Sequence, residues 1–190
     1  MADFKIAYAE TMRIEGGYAN DPKDNGGETW KGISRKNWPK WAGWELVDRA
    51  KKSPGFPLSL QYLPSLQVLV LNFYQVNYWD RNRLSEIKDQ SIATELFDTA
   101  VNMSSSVAVT FLQRVLNVLN RNATSYADIK PDGSMGRTTL MTANNFPDQE
   151  LLYNWLNTLQ GSRYFSIAEA NPTQERFMYG WSTRVYGSVG

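Results

Sequence analysis

The stretch RIEGGYANDPKDNGGETWKGIS, residues 13–34, decides how this chain is read. It holds Glu15, three further acids at Asp21, Asp24 and Glu28, five glycines and one threonine, Thr29. Before it, Phe4, Ala7, Tyr8, Thr11 and Met12 recur at helical spacing, and Asp3 is placed to cap the start. Gly16 and Gly17 are expected to end that helix, because glycine enters the left-handed cap conformation at no steric cost. Beyond them, Asn-Asp-Pro at 20–22 and Asn-Gly-Gly at 25–27 are turn chemistry, and residues 29–34 fit one short strand. A small hairpin is expected here, with Glu28 exposed on it.

The acids in this stretch differ in their expected surroundings. Glu15 would sit at the carbonyl end of a helix, where partial negative charge disfavours a second negative charge. In a partly apolar site it would keep its proton near neutral pH and serve as a general acid. The two glycines after it allow close approach of a substrate. Asp24 falls on a polar turn and would stay ionised. Asp21 competes with it, although a position before Pro22 suits an Asx turn. Thr29 opens the strand and offers a hydroxyl that could hold a water. Paired carboxylates in unlike environments are what glycoside hydrolysis uses. The plainer alternative is a helix terminus followed by a surface loop.

Composition narrows the chemistry. The 190 residues suit one substantial domain or two small lobes. There is no cysteine, which excludes disulfides, thiolate metal sites and thiol nucleophiles. There is no histidine, which removes Ser-His-Asp and Cys-His machinery and imidazole metal sites. Neither G-x-S-x-G nor a phosphate-binding G-x-x-x-x-G-K-[ST] occurs. Acid–base chemistry is then expected first of carboxylates, with Lys or Tyr as the alternatives, and no metal and no organic cofactor is implied. A net charge of +1 gives no case for nucleic-acid binding, and no apolar run approaches the roughly 18 residues of a membrane span. The N-terminus lacks the apolar core of a secretory signal.

The rest of the chain reads as mainly helical. Residues 35–64 are irregular, with Trp38, Trp41 and Trp44 as anchors to the core or as a sugar-stacking wall. The segment from 31 to 52 is locally basic, which suits either a solvated face or attraction to an anionic polymer. Helical periodicity returns at Leu66, Leu69, Val70, Phe73 and Tyr74, then over 89–103, 105–120 and 148–170, the last with a break expected at Gly161. In that last helix Leu151, Leu152, Trp155 and Leu159 are the expected apolar face. A turn at Pro131-Asp132-Gly133 separates these helices, and residues 173–187 close the chain as a short helix.

Read as one string, E-G-G-Y-x-N-D-P-x-D-x-G-G-x-T-x-x-G-I from Glu15 to Ile33 resembles the glycoside hydrolase family 108 muramidases, which cleave peptidoglycan. The family's catalytic glutamate falls in E-G-G-Y, here Glu15. The C-terminal half is similar to the predicted peptidoglycan-binding domain that accompanies the family. Its D-x-x-x-N, L-Q, D-G-x-x-G-x-x-T and G-W-x-x-R elements fall at Asp98 and Asn102, Leu112-Gln113, Asp132 to Thr139, and Gly180-Trp181 with Arg184. The family usually has glycine soon after that Asn, whereas this chain has Met103-Ser104-Ser105. A more distant similarity links it to virus-T4-type phage lysozymes, whose Glu, Asp and Thr follow E-x8-D-x5-T. The second gap here is one residue shorter.

The resemblance implies a mainly α, lysozyme-like α+β fold: two helical lobes with a small β-hairpin beside the catalytic helix end. It implies a hydrolase region over 1–93 and a helical peptidoglycan-binding region over 94–190. Glu15, Asp24 and Thr29 are the expected catalytic residues, and Tyr18, Trp30 and Asn102 the expected substrate-binding ones. The expected reaction is hydrolysis of the β-1,4 bond between N-acetylmuramic acid and N-acetylglucosamine. The alternatives are a lytic transglycosylase and a non-catalytic wall-binding module. The expected partner is the glycan strand of peptidoglycan, met by a monomer made in the bacterial cytoplasm and delivered by holin-type release or dedicated export.

Overall fold

The computed structural model describes residues 1–12, 17–20 and 27–186. The chain divides into two compact units, Met12–Asn77 and Met1–Thr11 with Tyr78–Gly190. Among the described residues there are eight α-helices and a three-stranded sheet. Helix α1, Phe4–Met12, starts as its sequence suggests, with the Lys5 backbone N–H donating to Asp3 Oδ1 at 2.6 Å. Its expected end at Gly16 lies outside the described residues.

The smaller unit is built on an antiparallel sheet of β1 (Tyr18–Asn20), β2 (Glu28–Trp30) and β3 (Ile33–Ser34), in that order. The single strand expected over 29–34 is two. Lys31 and Gly32 take φ of 44° and 77°, a two-residue turn of the kind whose twist matches paired strands. Lysine has no preference for that conformation, so partners hold it there: its N–H donates to the Gly17 carbonyl, and its own carbonyl accepts from Tyr74 Oη at 2.6 Å. The turn leaves Trp30 opposite Ile33, both buried.

Two helices complete this unit, α2 (Gly43–Ala50) and α3 (Pro64–Tyr74). Their buried faces, Trp44 and Val47 on one and Leu66, Val70, Phe73 and Tyr74 on the other, follow the 3.6-residue period. The tryptophans between 38 and 44 are anchors: Trp38 stands edge-on to Phe73, Trp41 edge-on to Trp44, and Trp44 donates its indole N–H to the Trp38 carbonyl. Trp44 is buried, while Trp38 keeps part of its surface in solvent.

The larger unit packs α4 (Gln90–Met103), α5 (Ser105–Val118), α6 (Arg137–Asn145), α7 (Gln149–Ala170) and α8 (Met178–Tyr186). Side chains cap three of these starts: Asp89, Ser104 and Asp148 accept from the N–H groups of Ile92, Val107 and Leu151. Phe4, Trp79 and Phe97 meet with ring centroids 5.7–5.9 Å apart, and Ile92, Leu96, Leu112 and Leu116 are fully buried in the same unit. Each such side chain stabilises the fold by roughly 1.5–3 kcal/mol relative to exposure. Helix α7 runs through Gly161 without the expected break. Its buried apolar residues are Leu152, Leu156, Tyr164 and Ala168; of the expected face Leu152 is buried and Leu159 half-buried, whereas Leu151 and Trp155 face outward.

The motif residues of this half make buried polar contacts. Gln113, almost wholly buried, donates to Asp132, to the Ser134 carbonyl and to Thr139, and accepts from the Gly133 N–H. Gly133 has φ of 72°, and a Cβ there would lie 2.8 Å from the Ser106 carbonyl. Asp98 on α4 pairs with Arg184 on α8 at 2.7 Å and accepts from Gln160 on α7 at 2.9 Å. Gln160 also donates to Thr99, whose hydroxyl donates to Glu95. Burial, and then the charge of Asp98, raises Glu95 from an ordinary 4.5 to about 8. Burial raises Asp98 as well, opposed by the charge of Arg184 and by the hydrogen bonds from Gln160 and Arg184.

Two outcomes follow from these contacts. Ser104 has φ of 130°, in the region that glycine tolerates and serine does not. Ser104→Gly is therefore expected to raise stability by about 1 kcal/mol in denaturant titration, since glycine still serves as a cap. For Glu95, folded chains keep a proton that unfolded chains release between 4.5 and about 8. Stability is accordingly lost as pH rises across that window. Thermal melts of Glu95→Gln are expected to lack this decline and, at pH 8, to exceed wild type by roughly 5 °C.

Candidate active site

Three of the expected site residues meet on the small sheet. Tyr18 on β1 faces Trp30 on β2, and Ala19 faces Thr29, which places Thr29 on the central strand between Ala19 and Ser34. A central strand has ladder partners on both sides, so the Thr29 backbone is fixed in register. Trp30 is buried, 3% exposed, with its indole in the interior of the unit and the Lys31 ammonium 5.7 Å from its ring centre. Tyr18 is half-buried, with its ring edge-on to Phe56 at 4.7 Å. Glu15, Asp24 and the competing Asp21 lie outside the described residues. Asn102 is on α4, in the other unit, where its Nδ2 donates to the Asp98 carbonyl at 2.8 Å.

The charged centre of the sheet unit is a residue that sequence reasoning placed in solvent. The Glu28 side chain is 12% exposed. Its Oε1 accepts from Tyr18 Oη at 3.0 Å and lies 2.7 Å from Lys51 Nζ, and its Oε2 lies 3.1 Å from Arg35 Nε. Arg35 reaches on to Asp48 with two hydrogen bonds and lies over the Trp44 ring at 4.5 Å. Lys51 also contacts Asp48. One carboxylate thus joins β1, β2 and α2 through a phenol, a guanidinium and an ammonium. The expectation failed because turn composition around residues 25–28 reports exposure of the backbone, while the cations that cover Glu28 come from 7 and 23 positions further along (35 − 28 and 51 − 28).

This network also revises the locally basic segment. Arg35 and Lys51 are spent on Glu28 and Asp48, Arg49 stands near Glu45, and Lys31 donates to Gln67. Proton affinities follow the same contacts. Burial raises the Tyr18 phenol, and the hydrogen bond and charge of Glu28 add to it. The hydrogen bond with Asp48 raises Arg35, and its converse lowers Asp48. Burial opposes the charge of Lys51, but Glu28 and Asp48 together hold it above its ordinary value. Burial lowers Lys31. Among the described residues no group of three or more carboxylates, histidines or cysteines is placed to hold a metal ion. Among them, too, no helix is long and apolar enough to cross a membrane.

Comparison with known proteins supplies what this geometry leaves open. The model of the family described as Glycosyl hydrolase 108 matches residues 8–104, and that described as Predicted Peptidoglycan domain matches residues 107–186. The chain belongs to glycosyl hydrolase family 108, with a predicted peptidoglycan domain following its hydrolase domain. It is thereby a peptidoglycan-directed glycosidase. Among solved structures it is similar to SagA of Brucella abortus, with 24% identity, a TM-score of 0.61, and coverage of 96% of this chain and 88% of that one. That likeness shows the fold, which is mainly helical and lysozyme-like with a small antiparallel sheet. No curated protein matches.

The Glu28 network makes a measurable demand on the hairpin. Glu28→Ala leaves two partly buried cations facing one remaining carboxylate, and is expected to lower stability by roughly 1.5–3 kcal/mol in urea titration. Asp48→Ala removes a carboxylate that is 49% exposed and is expected to cost less than about 1 kcal/mol.

Proposed function

We propose that the protein is an N-acetylmuramidase that hydrolyses the β-1,4 bond between N-acetylmuramic acid and N-acetylglucosamine in bacterial peptidoglycan. The observation that carries this reading is a family 108 hydrolase match, with its E-G-G-Y string at Glu15, followed directly by a predicted peptidoglycan domain. In this reading Glu15 protonates the glycosidic oxygen as the bond to the leaving sugar breaks. Asp24 acts as base for the incoming water or stabilises positive charge at the anomeric carbon, and Thr29 positions that water.

The described geometry supports the supporting half of this arrangement. The Asn20↔Glu28 pair closes the sheet on both sides of residues 21–27, and the ion network on Glu28 fixes the strand that carries Thr29. A group that orients water needs such a rigid backbone, because misplacement by about 1 Å costs on the order of a hundredfold in rate. Tyr18, with its hydroxyl on Glu28, contributes to the same rigidity and keeps a partly exposed ring for a sugar. Delivery to the wall from the cytoplasm, by holin-type release or dedicated export, belongs to this proposal.

Purified sacculi provide the test. Wild type is expected to release muropeptides with reducing N-acetylmuramic ends, seen by mass spectrometry after digestion. Glu15→Gln should keep its thermal transition and lose roughly a hundredfold or more of that release. Anhydro-muramic ends in place of reducing ones would assign a lytic transglycosylase, and unchanged release by Glu15→Gln would remove the catalytic role of Glu15.

A further inference from the structure

Helices α7 and α8 enclose a groove of about 560 Å³, within the range of sites that hold small ligands. Its α7 wall follows two i, i+4 rows: Tyr153, Asn157, Gly161 and Phe165 in one, Asn154, Thr158 and Ser162 in the other. Gly161 sits where a Cβ would meet Val185 of α8 at 3.3 Å, so the two helices approach closely at this point. Trp181 of α8 forms part of the opposite wall, its ring stacked on Tyr164 at 4.7 Å and 13° between planes. Phe165 and Tyr186 remain 55% and 77% exposed at the edge.

Among the described residues the groove wall has no charged side chain. The Thr158 and Ser182 hydroxyls donate to the Asn154 and Met178 carbonyls of their own helices, so what they have left to offer is acceptor lone pairs. Asn157 is 7% exposed, its Nδ2 points to the Tyr153 carbonyl, and its Oδ1 is buried with no hydrogen-bond partner among the described residues. Turning the amide over would set Oδ1 against that carbonyl, so the orientation is fixed by Tyr153. A buried acceptor without a donor is unfavourable by about 1–3 kcal/mol. A small rotation of Asn157 towards a donor in the groove would relieve it.

We propose that the groove between α7 and α8 is a carbohydrate site, taking N-acetylated hexosamine of a glycan strand with the acetamido N–H donated to Asn157. An uncharged groove offers no cation to hold phosphates or the carboxylates of peptide stems, and suits a neutral sugar. The exposed rings of Phe165 and Tyr186 suit the apolar face of a pyranose ring, with Trp181, packed on Tyr164, in the wall beside them. The site lies within residues matched by the predicted peptidoglycan domain, and the inference rests on the peptidoglycan reading above for the source of the sugar.

The experiment uses the full chain carrying Glu15→Gln and 5-fluorotryptophan, read by ¹⁹F NMR, with the Trp181 resonance assigned by its loss in Trp181→Phe. The probes are the β-1,4-linked tetramer of N-acetylglucosamine, its deacetylated counterpart, and peptide-free glycan from sacculi. The Trp181 resonance is expected to move with the acetylated tetramer and the glycan, and not with the deacetylated tetramer. Asn157→Leu and Tyr186→Ala should each raise the concentration needed by roughly tenfold, the equivalent of one good hydrogen bond or stacking contact. Tyr186 is exposed, so its variant carries the test should Asn157→Leu fail to fold. A silent Trp181, an equal response to both tetramers, a response to protein concentration alone, or no effect of Tyr186→Ala overturns the site. Wild type that releases no reducing ends while Trp181 responds removes the muramidase reading and keeps the site. Hydrolysis with a silent Trp181 does the reverse.

Discussion

The carboxylate of Asp98 sits where three helices meet, and the larger unit is organised around it. Arg184 reaches it from α8 and Gln160 from α7, both with side chains almost wholly inside. Removing Arg184 would leave the Asp98 charge in low dielectric, and removing Gln160 would take one hydrogen bond from it, so the three helices share one arrangement in which that carboxylate is answered. Glu95, one turn before Asp98, completes the group as a neutral acid, because a second buried negative charge beside Asp98 has no cation of its own. The α7/α8 groove depends on this anchoring, since Arg184 holds the helix that forms its second wall.

In the sheet unit a comparable role falls to Glu28, by a different balance. Its cations are about one-third exposed, so each ion pair alone contributes little, and the value of the arrangement lies in its connectivity. A strand of three residues cannot hold its own register by ladder bonds alone. Tyr18, Arg35 and Lys51 converge on Glu28 from three elements and supply the missing constraint. Tyr74 adds a second, by accepting the strain of Lys31 at the turn through its hydroxyl.

Periodicity located the helices because burial repeats every 3.6 residues whatever the neighbours are. The start at Asp3 was legible for a similar reason: a cap is a contact between residues two or three apart. Reading failed where the deciding partner is remote. Gly161 looked like a helix break, yet its backbone is covered by Val185, 24 positions on (185 − 161), and glycine there permits contact. The strand at 29–34 looked continuous, yet the chain turns at Lys31 and Gly32, where the Gly17 and Tyr74 contacts hold lysine in the left-handed region.

By itself the sequence determined the class of chemistry and the family. A chain without histidine or cysteine has no imidazole or thiol chemistry, and a motif from Glu15 to Ile33 with fixed spacing identifies itself without coordinates. Tertiary structure alone decided which acids are answered by cations, since Glu28, Asp98 and Glu95 look alike as letters. Distance and burial separate them, and both depend on residues up to 86 positions away. The groove has the same origin: its two i, i+4 rows are written along α7, but only the packing of α8 against Gly161 makes them a wall.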